Sequence, residues 1–188
     1  MFTCFSQWIR YVGNFATEAE WIHSQHVPSL KEYLKVAHFS IGAAIITWTS
    51  VFVIGEQITD EISSLIGIDS RFMYLVGLIS RLSNDLVGFQ KEGREGKVTT
   101  AVTCYMRDHP ECSHEEATAN ISSLIESSCQ ELEWEIYRAR AKVPECCIRA
   151  VLAYVRAACL IYKKGDGFSE NVPDFMEIFQ DYLFHSLE

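Results

Sequence analysis

Apolar residues recur at three- and four-residue spacing along most of the chain, while strict alternation of the strand type is nearly absent. Phe5, Trp8, Ile9, Val12, Phe15, Ala19 and Ile22 trace one apolar face of a helix over 4–25, which Pro28 stops. Ser29 followed by Glu32 is a capping-box pattern, so a second helix is expected from about Leu30. It runs through Tyr33, Leu34 and Ala37 into Ser40-Ile41-Gly42-Ala43-Ala44, where small residues weaken the hydrogen-bond ladder and a kink near Gly42 is expected. Thr59-Asp60-Glu61 opens a short helix ending near Gly67. Ser70 caps a long one, in which Phe72, Leu75, Val76, Ile79, Leu82, Leu86 and Phe89 share a side until Gly93 and Gly96 end it. After Pro110, Ser113 and Glu116 form another capping box and start a helix carrying Ala117, Ile121, Leu124, Ile125, Leu132 and Ile136. Pro144 begins one with Ile148, Val151, Leu152, Val155, Cys159 and Ile161, up to Gly165-Asp166-Gly167, and a last helix covers 173–187. The pattern predicts an all-α protein of six to eight helices with short connections.

Composition narrows the functional classes. The 188 residues are 48% hydrophobic and 22% charged, with only 10 Gly and 4 Pro, which excludes disorder and low-complexity repeats. A chain of this length removes roughly 70% of its unfolded surface from water, enough for one core of ordinary size. Sixteen Lys and Arg against 25 Asp and Glu give a net charge of -9, which repels nucleic-acid backbones, so no nucleic-acid partner is expected. An anionic ligand would need metal ions or a few local cations. The longest apolar run, Ile41 to Gly55, carries Thr47, Thr49 and Ser50 and falls short of the ~20 residues a bilayer requires, so no membrane span is expected. Seven cysteines include the adjacent pair Cys146-Cys147, and reduced thiols in a cytosolic or stromal setting are the natural reading. Cys159 reads as a core thiol.

The chemistry concentrates in Arg81-Leu-Ser-Asn84-Asp85-Leu-Val-Gly88-Phe-Gln-Lys-Glu92. At about 100° per residue, positions 84, 88 and 92 each advance ~40° and stack along one side of a helix, with Arg81 within ~60° of the first. A carboxamide, a small residue and a carboxylate then share a face. Such oxygen donors suit Mg2+, which takes few protein ligands, keeps several waters and bridges to substrate phosphates. A guanidinium one turn earlier can fork onto the same phosphate. By itself such a set reads equally as a solvated helix face; here the flanking Leu78, Ile79, Leu82, Leu86 and Phe89 put it on a strongly apolar helix. Cys104, His109, Cys112 and His114 crowd one segment without matching a common zinc spacing, and Glu131, Glu133 and Glu135 spread around their helix as a solvated face.

This run resembles the second metal-binding motif of plant class I terpene synthases, and two further stretches agree. Gly96-Lys-Val-Thr-Thr-Ala-Val-Thr-Cys-Tyr-Met-Arg-Asp-His-Pro110 with Glu115-Glu116-Ala117 is similar to the segment after that motif in gymnosperm-type diterpene and related sesquiterpene synthases. Tyr162-Lys-Lys-Gly-Asp166-Gly-Phe168 resembles the loop that closes their active site, and Glu18-Ala-Glu-Trp21 with Val27-Pro-Ser-Leu-Lys-Glu-Tyr33 fits the helix pair before the kinked helix. The resemblance implies the C-terminal portion of the class I terpenoid-synthase helical fold. It also implies a lyase that ionises a prenyl diphosphate, geranylgeranyl or farnesyl, and cyclises the cation, with Mg2+ or Mn2+ as cofactor. Asn84, the Gly88 position and Glu92 would hold one metal ion, with water at Gly88 where the family carries Ser or Thr. Arg81 would receive the diphosphate, Tyr162 and Asp166 would sit at the pocket mouth, and Ser40 to Ile46 would be the bend facing the cation. Phe39, Trp48 and Phe52 are further aromatic candidates for that cation.

The family's aspartate-rich motif Asp-Asp-x-x-Asp occurs nowhere in the 188 residues. The chain is therefore expected to be a partial metal-binding domain lacking the upstream helices that carry that motif, and to be inactive alone. The competing expectation is a noncatalytic helical interaction module, a remnant of such an enzyme. Location would follow substrate: plastid for a diterpene synthase, cytoplasm otherwise.

Overall fold

The computed structural model describes residues 2–91 and 99–162, with the backbone alone at 2–5, 90 and 91. Eight helices run through the described residues, with no strand among them: α1 (Phe2–Ser24), α2 (Leu30–Ser40), α3 (Ala43–Ile54), α4 (Asp60–Ile66), α5 (Arg71–Lys91), α6 (Ala101–Asp108), α7 (His114–Ala139) and α8 (Glu145–Ile161). The expected helix over 173–187 lies outside the described residues.

Helix starts follow the capping chemistry. Ser29 accepts from the Glu32 amide while the Glu32 carboxylate accepts from the Ser29 amide, and Ser113 and Glu116 repeat the arrangement. Thr59 caps α4, and Ser70 accepts from the Met73 amide at the start of α5. The weakened ladder at Gly42 is a full break. Gly42 adopts φ 80°, left-handed geometry that a side chain would strain, and α3 restarts one residue later. α1 stops at Ser24, ahead of Pro28, through a left-handed Gln25.

α5 is the axis of the fold, packing against α2, α3, α4, α6, α7 and α8. Its predicted apolar side is the core: Phe72, Leu75, Val76, Ile79 and Leu82 are fully buried, and each is worth about 1.5–3 kcal/mol relative to exposure. Around one end of α5, Val51, Ile66, Val76, Ile148 and Val151 join α3, α4, α5 and α8. Around the other, Tyr33, Leu78, Leu82, Val102 and Ile121 join α2, α5, α6 and α7. The two stretches Leu30–Ile54 and Asp60–Phe89 have the length and hydropathy to cross a bilayer. Over half of each window is buried within the protein, however, and Gly42 divides the first, which is how core helices behave.

One apolar face is placed and one expectation is corrected. The apolar stripe of α1 does not face this core: Trp8, Ile9, Val12, Phe15 and Ile22 are all exposed, and the helix turns Gln7, Tyr11, Glu18 and Trp21 inward instead. Cys159 is exposed on α8, whereas Cys147 is buried, because the contact stripe of α8 runs through Cys147, Ile148, Val151, Val155 and Ala158. α6, unread in the sequence, begins with a Thr100/Thr103 capping box.

Candidate metal and diphosphate site

α5 places Arg81 and Asp85 one turn apart on the face toward α2, so that the pair is drawn into the interior. The Arg81 Nε lies 3.0 Å from Asp85 Oδ1 and donates to the Tyr33 hydroxyl at 2.7 Å. The Tyr33 hydroxyl in turn donates to Asp85 Oδ2 at 2.7 Å. That same oxygen accepts the Ala101 amide at 2.8 Å, which pins the start of α6. From α1, Glu18 Oε1 reaches Arg81 Nη2 at 3.0 Å and also accepts the Ser40 hydroxyl at 2.9 Å. Side-chain exposure is 15% for Arg81, 13% for Glu18 and 3% for Asp85, so this network is largely desolvated.

The electrostatics follow from that burial. Desolvation pushes the Asp85 carboxyl above its ordinary range, opposed by the Arg81 guanidinium and by the Tyr33 and Ala101 donors. Burial is the largest single influence and works against the Arg81 charge, but Asp85, Tyr33 and Glu18 together outweigh it and hold the guanidinium above its usual value. Tyr33 is raised well above the normal phenol value by burial and by Asp85, so it stays a donor.

Asn84 and Gly88 lie on the flank of α5 next to this pair, both partly exposed. No described residue hydrogen-bonds the Asn84 carboxamide, and a Cβ built at Gly88 would meet nothing within 4 Å. A carboxamide oxygen is a ligand type that Mg2+ accepts, an ion that takes few protein ligands and keeps several waters. The neighbouring Asp85 is unsuited to that role, since both its oxygens are occupied inside the protein. Among the described residues no cluster of three or more His, Cys, Asp or Glu could hold a metal. Glu92 and Asp166 lie outside the described residues.

The structure thus brings Arg81, Asn84 and Gly88 together on one stretch of α5. Tyr162 is half-buried at the end of α8, its amide donating to the Ala158 carbonyl at 3.1 Å. Two turns earlier on α8, burial raises the Tyr154 phenol above its usual range, opposed by the Ser80 hydroxyl of the residue before Arg81. Of the aromatic candidates, Phe39 and Trp48 are core side chains and Phe52 is half-exposed. Glu18, Tyr33 and Asp85 were given no role by the sequence reading; the spacing of Arg81 and Asp85, a helical ion-pair interval, was the available signal.

Comparison with known proteins agrees with this arrangement. Residues 2–131 match the terpene synthase family, metal binding domain. The chain belongs to the terpene synthase family. This terpene synthase chain is 43% identical over 162 residues to a monofunctional isopimaradiene synthase, chloroplastic, of Pinus contorta, covering 86% of this chain and 18% of that protein. It is 37% identical over 179 residues to a bifunctional levopimaradiene synthase, chloroplastic, of Picea sitchensis, covering 95% of this chain and 21% of that protein. It spans about a fifth of the length of the curated relatives it matches. Abietadiene synthase from Abies grandis superposes with a TM-score of 0.85 at 35% identity, over 97% of this chain and 23% of that one. Isoprene synthase from grey poplar, solved with three Mg2+ ions and dimethylallyl-S-thiolodiphosphate, superposes with a TM-score of 0.77 at 21% identity, over 94% of this chain and 33% of that one, a likeness of fold. The all-α fold of the terpene synthase chain is thereby that of its solved relatives.

Proposed function

We propose that this chain supplies the Mg2+ and diphosphate site of a class I terpene synthase that ionises a prenyl diphosphate and cyclises the resulting cation. The observation carrying the reading is the placement of a fixed, partly desolvated Arg81 one turn before an uncommitted Asn84, with open room at Gly88. The names of the relatives, diterpene synthases marked chloroplastic, favour geranylgeranyl diphosphate over farnesyl diphosphate and a plastid location.

Asn84 and Glu92 would hold one Mg2+, with water in place of a side-chain ligand at Gly88. The ion, when bound, supplies positive charge that makes diphosphate a better leaving group. Arg81 receives the diphosphate oxygens as charge builds on them, a contribution that is largest in a site closed to water. Asp166 and Tyr162 would stand at the mouth, and the break at Ser40 to Ile46 would offer backbone carbonyls to the cation while apolar walls keep water away. The 188 residues contain no Asp-Asp-x-x-Asp, so this chain by itself leaves the diphosphate incompletely neutralised.

The exposed apolar face of α1 favours a second reading, a noncatalytic helical interaction module. Incubating the full-length protein with geranylgeranyl, farnesyl and geranyl diphosphate and Mg2+, then analysing the hydrocarbons, separates the two. Cyclic diterpenes from the twenty-carbon substrate are expected; no release of diphosphate from any of them supports the module.

A further inference from the structure

The network around Arg81 assigns a role to a residue on a different helix, and this inference rests on the reading of Arg81 as a diphosphate ligand. A guanidinium has three nitrogens and rotates freely on a long stem unless its edges are held. Here two are held from opposite sides. Nε is fixed by the Tyr33 hydroxyl at 2.7 Å and by Asp85 at 3.0 Å, and Nη2 by Glu18 at 3.0 Å. Glu18 is itself oriented by the Ser40 hydroxyl at 2.9 Å, at the end of α2 two residues before the break at Gly42.

We propose that Glu18 is a positioning residue for diphosphate capture: its ion pair at the Nη edge sets the direction in which the Arg81 guanidinium meets the leaving group. Tyr33 and Asp85 meet the group at its Nε edge alone, and Glu18 adds a contact at the Nη edge, so the planar guanidinium is pinned at two separate points. Two carboxylates on one guanidinium are a costly arrangement, since the second is partly desolvated and repelled by the first. A positional role accounts for it.

Calorimetric binding of inorganic diphosphate with Mg2+ to the full-length protein tests the assignment. Glu18→Ala is expected to weaken diphosphate binding about tenfold, and Glu18→Gln, which keeps an acceptor at the same place, to recover part of that loss. In an Arg81→Gln background, Glu18→Ala is expected to change nothing further, because Glu18 acts through Arg81. Unchanged affinity in Glu18→Ala, or a loss that adds fully to that of Arg81→Gln, overturns the assignment. Unchanged affinity in Arg81→Gln alone overturns the diphosphate reading beneath it. A thermal melt of each variant, read beside the binding, separates lost aim from lost fold: a positional defect lowers the affinity of protein that melts as wild type does.

Discussion

The Tyr33 hydroxyl and the Asp85 carboxylate meet at 2.7 Å across 52 residues of sequence, and their bond joins α2 to the metal-motif helix α5. Tyr33 has no exposed surface, and its single hydroxyl donates to Asp85 while accepting from Arg81. Tyr33→Phe therefore removes one hydrogen bond from each member of a buried ion pair. A loss of about 1–3 kcal/mol in unfolding free energy is expected from urea titration. Asp85→Ala leaves Arg81 with Glu18 as its one carboxylate and takes the acceptor from Tyr33 and the Ala101 amide, and is expected to cost more, about 3–5 kcal/mol.

Two glycines on α5 give opposite predictions. A Cβ at Gly77 would overlap the backbone carbonyl of His38, so α2 crosses α5 only because that side chain is absent. Gly77→Ala is expected to destabilise by about 1–3 kcal/mol. Gly88→Ser meets open space and replaces a poor helix former, so thermal unfolding is expected at or above the wild-type temperature. The new hydroxyl would also stand one turn from Asn84, and less Mg2+ should then be needed for half-maximal activity.

His38 carries a pH dependence of stability. Burial lowers its pKa, against the pull of the Leu34 carbonyl, which accepts from Nδ1 at 2.7 Å, and the nearby Arg10 charge lowers it further. The unfolded chain then binds the proton more readily than the folded one, so stability is full above the unfolded value of about 6.5 and falls as pH drops below it. The melting temperature is expected to decrease between pH 7.5 and pH 5.5, and to decrease less in His38→Gln.

The exposed row of Trp8, Ile9, Val12 and Phe15 on α1 predicts association of the isolated 188-residue chain. Sedimentation velocity should show concentration-dependent oligomers, reduced by Val12→Lys with Ile9→Ser.

The helices were legible because their signals are local. Ser29 with Glu32 and Ser113 with Glu116 announce α2 and α7, and the apolar spacing of Phe72 to Phe89 announces the buried side of α5. What the pattern could not say was which partner a face meets. The stripe of α1 satisfies every rule for a buried face and lies exposed, since periodicity reports amphipathicity and not the neighbour. α6 escaped notice because its cap pairs two threonines and its helix has only eight residues. In the site, Arg81, Asn84 and Gly88 were readable as one helical face. Glu18 and Tyr33 were not, because their meeting with Arg81 is set by the packing of α1 and α2 on one another and of α2 on α5.

The Mg2+ concentration giving half-maximal release of diphosphate from geranylgeranyl diphosphate, compared between the full-length protein and its Asn84→Ala variant, addresses the central claim most directly. Loss of a metal ligand predicts a rise of about tenfold or more, or no measurable turnover in a protein that still melts as the wild type does. An unchanged Mg2+ requirement with unchanged turnover would contradict the assignment of this face of α5 as the metal and diphosphate site.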